Sequence, residues 1–224
     1  RESGILPDDF VFKPVKDDVD EAGRIYVLGK NVYEGIMHFD KEGNFHGFMG
    51  APRVNPTVAD YFWKQFGTEE QRTRMSLFLP TEYSALDINS RGFIMTTEST
   101  NLKKLSPSGD DVIRKKSFYP PVGDIIPNLD FGDEIKDSKF VDIVARDTGI
   151  YSVLDSNRSR VFTYDENGNL LYIFGGPGNL RGLFLTPVAV DRINNKDKTE
   201  KMVVLDKETD SFTIFRPTRY ANYI

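Results

Sequence analysis

Short runs of alternating apolar and polar residues recur along the chain, separated by glycine-bearing polar turns. That period of two predicts β-strands rather than helices. The clearest copy reads Gly149-Ile-Tyr-Ser-Val-Leu-Asp155, then the polar loop Ser-Asn157-Arg-Ser-Arg160, then two further strands. In those strands Val161 and Thr163 alternate before the turn Asp165-Glu-Asn-Gly168, and Leu170, Tyr172 and Phe174 alternate after it. Asn-Gly between two alternating runs is a strong hairpin signal, because both residues tolerate positive φ.

The plan repeats. Gly23-Arg-Ile-Tyr-Val-Leu leads to Ile36-Met-His-Phe and the turn at Gly43; Gly92-Phe-Ile-Met-Thr leads to Leu102 and the turn at Gly109; Met202-Val-Val-Leu-Asp206 leads to Ser211-Phe-Thr-Ile-Phe215. The two turn glycines of a copy are 43 − 23 = 20, 109 − 92 = 17 and 168 − 149 = 19 positions apart. Units of this length match the blades of a β-propeller. The expected fold is an all-β propeller filling residues 1–224 as a single domain, with blades at about 13–50, 82–118, 139–176 and 185–220.

Two stretches interrupt the repeat. Over 57–79, Val58, Phe62 and Phe66 fall on one helical face, Gly67 supplies a stop, and Thr68 with Gln71 forms a capping-box pattern, so a short helical insertion is expected. Tyr61, Phe62, Trp63 and Phe66 either pack against the propeller or form a protein-contact patch. Residues 119–138 are rich in Pro, Gly and Asp and predict a long surface loop. Long loops on rigid scaffolds are frequent carriers of function.

Composition narrows the chemistry. A net charge of −5 and a pI of about 5.2 remove the global positive field that nucleic-acid binding uses. The absence of cysteine excludes disulfides, thiolate metal sites and a cysteine nucleophile. No apolar run reaches the ~18 residues of a membrane helix. There is no Gly-x-Ser-x-Gly elbow and no phosphate-binding Gly-x-x-x-x-Gly-Lys loop. His38 and His46 flank the hairpin at Gly43, on outer strands. The paired lysines Lys103-Lys104 and Lys115-Lys116 read as solvated strand faces. No catalytic residue is assigned.

Asp155-Ser-Asn157-Arg-Ser-Arg160-Val161 resembles the NHL-repeat core, Asp-x-x-Asn-x-Arg-Ile. Phe174-Gly-Gly-Pro-Gly178, followed by Gly182-Leu-Phe184-Leu-Thr-Pro187-Val-Ala-Val190-Asp191, is similar to the linker between NHL blades. With Phe48-Met-Gly50-Ala-Pro, Thr68-Glu-Glu-Gln-Arg72, Pro80-Thr-Glu-Tyr83 and Tyr119-Pro-Pro-Val-Gly123-Asp, essentially the whole chain resembles exported, gluconolactonase-like NHL propeller proteins of Gram-positive gut bacteria. That resemblance implies an extracellular or cell-surface bacterial protein and the last four blades of a six-bladed propeller, although four blades also close small propellers. Missing N-terminal blades, or self-association, would then complete it.

Aligning the inner strands on their turns places Asp18 and Asp87 at equivalent positions, with Asp142 joining them if its turn is two residues longer, while Ala189 breaks the pattern. These carboxylates either converge on a ligand or cation, or hydrogen-bond backbone amides around a wet channel. Six-bladed calcium-dependent lactonases imply Glu82, Asn89 and Asp142 as the metal set. Two functions follow. The first is a non-catalytic scaffold, without a cofactor, that binds a protein or cell-surface ligand. The alternative is a Ca²⁺-dependent lactonase or esterase using Asp142 and Glu82 with a metal-bound water or a carboxylate base.

Overall fold

The computed structural model describes residues 13–30, 32, 34–50, 82–114, 121–124, 137–194 and 200–222. The expected helical insertion at 57–79 lies outside the described residues, as does most of the 119–138 loop. Among the described residues the only helix is a single 3-10 turn at Tyr220–Asn222, and no helix is long and apolar enough to cross a membrane. The chain divides into two compact units, Arg1–Tyr83 and Ser84–Ile224.

The first unit holds one four-stranded antiparallel sheet in sequence order: β1 (Pro14–Val19), β2 (Ile25–Gly29), β3 (Ile36–Phe39) and β4 (Phe45–Met49). On one face Val27 and Met37 are buried with Val32, and Ile25, Phe39, Phe45 and Phe48 pack around them. On the other face Tyr26 stacks on His38, with ring centroids 4.9 Å apart.

The second unit holds three sheets. The strands β5 (Tyr83–Ile88), β6 (Ile94–Glu98) and β7 (Asn101–Leu105) form one. A second is built from β8 (Phe140–Ala145), β9 (Tyr151–Asp155), β10 (Arg160–Tyr164) and β11 (Leu170–Gly175). The third comprises β12 (Pro187–Asn194), β13 (Glu200–Asp206) and β14 (Ser211–Phe215). Because strand side chains alternate, the β8–β11 sheet is apolar on both faces. Ile143, Ala145, Tyr151, Val153, Phe162 and Tyr164 meet Ala85, Met95 and Leu102 on one side. Val144, Leu154, Val161 and Phe174 meet Val190, Met202, Val204, Phe184 and Phe215 on the other. Roughly 25 cal/mol per Å² of apolar area removed from water makes these two contacts the main cohesion of the unit.

The turns repeat as closely as the strands. Gly23, Gly43, Gly92, Gly109, Gly149 and Gly168 all have φ between 75° and 91°. Each donates its N–H to the carbonyl three residues earlier, on Asp20, Asp40, Asn89, Ser106, Arg146 and Asp165 respectively. A left-handed residue at this point is what glycine supplies without a Cβ penalty. In four of the six the first residue also caps the turn: Asp20, Asp40, Asn89 and Asp165 each accept two turn amides on one side-chain oxygen.

Candidate functional site

The equal turn lengths revise the carboxylate alignment. Asp18 and Asp87 stand two residues before their turns, at Asp20 and Asn89, whereas Asp142 stands four before Arg146. No longer turn brings Asp142 level. Strand pairing gives the same answer, since Asp18 faces Tyr26, Val144 faces Ser152 and Asp191 faces Val203. The level of Asp18 and Asp87 is therefore held by Val144 and Asp191, and Asp142 shares its level with Ala189. Asp191 went unrecognised because the turn of the fourth copy carries no glycine to align on.

Each of these side chains meets main chain. Oδ1 of Asp18, Asp87, Asp142 and Asp191 accepts the N–H of the next residue, Val19, Ile88, Ile143 and Arg192, at 2.6–3.1 Å. Oδ2 of Asp87 accepts the N–H of Ala145 in the next sheet at 2.6 Å. Oδ2 of Asp142 accepts the N–H of Val190, one sheet further on, at 2.9 Å. A first strand has a ladder partner on one side only, so every second N–H points away from its sheet. Asp87 and Asp142 answer such amides twice over, once on their own strand and once on the neighbour. Asp147 returns the link by accepting the Ser90 N–H at 2.8 Å.

Asn89 and Asp142 of the expected metal set already have partners. Asn89 spends its side-chain oxygen on the N–H groups of Arg91 and Phe93, at 3.1 and 3.0 Å. Both Asp142 oxygens are engaged as described. Glu82 belongs to the first unit and directly precedes β5. Ca²⁺ needs six to eight oxygen ligands, and Asn89 and Asp142 do not fit that role without giving up turn and inter-sheet bonds. Among the described residues no group of three His, Asp or Glu side chains is placed to hold a metal.

A second polar cluster sits where the two described ends of the 119–138 insert, which enters β8, lie against the β8–β11 sheet. The Gly123 N–H donates to the Tyr164 hydroxyl at 3.1 Å. Arg160 Nη1 donates to Asp124 Oδ2 at 2.8 Å, and the Asp124 N–H donates to Ser138 Oγ at 3.0 Å. Asn157 Nδ2 donates to the Asp137 carbonyl at 2.8 Å. Asn157 and Arg160, the two residues that mark the repeat signature, thus hold both ends of the insert. Burial and stacking on Tyr151 keep Tyr164 rigid, and burial pushes its phenol pKa up.

The loop between β9 and β10 is organised by Asp155, whose Oδ1 accepts the N–H groups of Lys139, Asn157 and Arg158, each at 3.0 Å. Its Oδ2 is fully buried and has no hydrogen-bond partner. The corresponding residue of the next sheet, Asp206, uses both oxygens. Oδ2 accepts from Leu185 and Thr186 at 2.6 and 3.2 Å, and Oδ1 from Glu208 and Thr209 at 3.0 and 3.2 Å and from Thr186, whose N–H is shared, at 3.3 Å. Burial pushes the Asp206 pKa up, but these amides outweigh it and hold the carboxyl below its usual range. Arg146 bridges the same two sheets: its Nε donates to Glu200 Oε1 at 2.6 Å and its Nη1 to Ser152 Oγ at 3.0 Å.

No protein-family model matches the chain, and no curated protein matches it in sequence. Solved structures do match. Virginiamycin B lyase from Staphylococcus aureus superposes with a TM-score of 0.50 at 13% identity, over 94% of this chain and 57% of that one. The calcium-binding protein regucalcin from Agrobacterium tumefaciens gives 0.50 at 13% identity, over 91% of this chain and 63% of that one. The extracellular domain of BT4673 from B. thetaiotaomicron gives 0.50 at 9% identity, over 92% and 21%. The chain spans less than two thirds of each. At these identities the likeness is one of fold alone, and together with the four antiparallel sheets it identifies an all-β protein of the β-propeller class.

Proposed function

We propose that this chain is a non-catalytic binding scaffold of the NHL kind, exported to a bacterial surface, that presents its 119–138 insert to a protein or cell-surface ligand. The observation that carries the reading is the fastening of both ends of the insert. Asp124 and Asp137 are held by Arg160 and Asn157, so whatever the insert displays is displayed from a rigid sheet, as functional loops on stable scaffolds are. Asp87 and Asp142 favour the same reading, because their carboxylates bond the main chain of the next blade. The extracellular domain of BT4673, similar in fold, is compatible with export.

The test is to replace residues 125–136 by a short Gly-Ser linker between the fastened ends. Far-UV circular dichroism and melting temperature are expected to hold, while binding of the labelled protein to intact bacterial cells is lost. Undiminished binding by the shortened protein would remove the insert as the binding surface.

The calcium-dependent lactonase reading draws on regucalcin, a calcium-binding protein of similar fold. Asp142, Glu82 and Asn89 would be its ligands, and the engagement of Asp142 and Asn89 with backbone amides weighs against it. Elemental analysis of the purified protein with a lactone panel decides: stoichiometric Ca²⁺ together with turnover would establish this reading in place of the scaffold.

A further inference from the structure

The outer face of the β12–β14 sheet is apolar and exposed. Val203 and Leu205 of β13 share that face with Phe212 and Ile214 of β14 through the pairs Leu205–Phe212 and Val203–Ile214. Phe212 is 71% exposed and Ile214 56%. The same positions in the preceding blade are Leu154 paired with Val161 and Ser152 paired with Thr163. All four of those are fully buried, because β12–β14 lies on them. The last blade therefore repeats the surface by which one blade receives the next, with larger apolar groups.

The surface that fits it is also defined by the repeat. Blade four packs back on blade three through Met202, paired with Phe215, and through Val204, paired with Val190. In the first blade the corresponding pairs are Ile25 with Phe39 and Val27 with Asp17. Around them Phe39, Phe45 and Phe48 are only partly buried, and Val19, beside Ile25, is 52% exposed.

We infer that the Val203–Leu205–Phe212–Ile214 face is a blade-to-blade interface whose occupant is the Ile25–Phe39–Phe45 face of a second copy of this chain. The contact continues the interface already present between the second, third and fourth blades. It joins unlike faces, so it is heterologous, and a contact of that kind either closes a ring or propagates. The inference stands apart from the binding function proposed above.

Light scattering coupled to size exclusion at micromolar concentration is expected to give a mass at or above twice 25.5 kDa. Phe212→Glu/Ile214→Glu and, separately, Val19→Glu/Phe45→Glu are each expected to reduce the mass to one chain with the circular dichroism spectrum retained. Mixing the two variants restores a one-to-one dimer, because each still carries the face the other has lost. Should either variant misfold, the concentration dependence of the unaltered chain carries the test. A strictly 25.5 kDa species up to 100 µM overturns the inference, as does a mixture of two folded variants that stays monomeric. Association mediated by some other patch would persist in both variants, which also overturns it.

Discussion

Asp155 and Asp206 occupy the same place in consecutive blades, yet asparagine should be tolerated at one and not at the other. Asparagine offers one acceptor oxygen and turns an amide donor toward the opposite side. At Asp155 all three recorded amides converge on Oδ1, and the partnerless Oδ2 can become an NH₂ group without losing a bond. The loss is the charge assistance to three bonds, about 1 kcal/mol in all. At Asp206 the Leu185 amide sits on Oδ2, those of Glu208 and Thr209 on Oδ1, and that of Thr186 is shared between them at 3.2 and 3.3 Å. An asparagine there must present N–H to N–H on one side, and the better orientation strands Leu185 while Thr186 keeps one oxygen. Stranding a partly buried amide costs about 1–3 kcal/mol and the lost charge assistance adds about 1 kcal/mol, so about 2–4 kcal/mol is expected. Urea unfolding of Asp155→Asn and Asp206→Asn, compared at unchanged m-value, should separate the two by at least about 1 kcal/mol. Equal losses, or a larger loss at Asp155, would show that charge rather than acceptor geometry governs these loops.

Three further outcomes follow from the same structure. Replacing Arg146 by Met removes a partner from Glu200 and from Ser152 at the junction of blades three and four; because Glu200 is partly hydrated and keeps Arg192 at 4.0 Å, and Ser152 keeps Thr163 at 2.8 Å, the expected loss is about 1–2 kcal/mol, read from the urea midpoint. Gly43→Ala and Gly168→Ala both demand positive φ, at 85° and 83°, but a Cβ at 43 meets open space while one at 168 lies 2.5 Å from the Arg114 carbonyl; the first should cost about 1–2 kcal/mol and the second clearly more, and equal melting temperatures would refute the clash. Acid should destabilise the fold: Asp40, held at about 2 by the Asn44 side chain and amide, and Asp206, also depressed, are stabilising above their ordinary value of 3.8, and that contribution disappears as pH falls through their lower folded pKa values. A pH titration of Asp206→Asn should show a flatter acid limb than the unaltered chain.

The strands and turns were legible because they rest on local chemistry. Alternation and a left-handed glycine are visible in a few consecutive residues, and the turns at Gly23, Gly92 and Gly149 form as their spacing predicts. The carboxylates were harder. Asp87 and Asp142 find their partners 58 and 48 residues away, on amides that any residue could supply, so the sequence carries no mark of the partner. An alignment on the turns grouped Asp142 with Asp18 and Asp87 by allowing its turn two more residues, and the hydrogen-bonded turn at Arg146 revealed the offset. Arg160 and Asn157 were legible as a signature but not as fasteners, since Asp124 and the Asp137 carbonyl are set by where the insert folds back.

The coupling between blades has a consequence for how such a chain varies. A side chain that grips another side chain ties two positions together, and neither changes freely. Asp87 and Asp142 grip N–H groups that every amino acid except proline carries. These two bonds therefore ignore the identity of the residues on their far side and read only the backbone trace. Ala145 and Val190 are held to small apolar side chains by the cores they pack in, but the bonds place no further demand on them, so blades with matching apolar faces can be exchanged with alignment between neighbours retained. Proline at 145 or 190 is the one residue that these bonds exclude outright, which turns a hydrogen-bonding detail into a rule for splicing blades from one propeller into another.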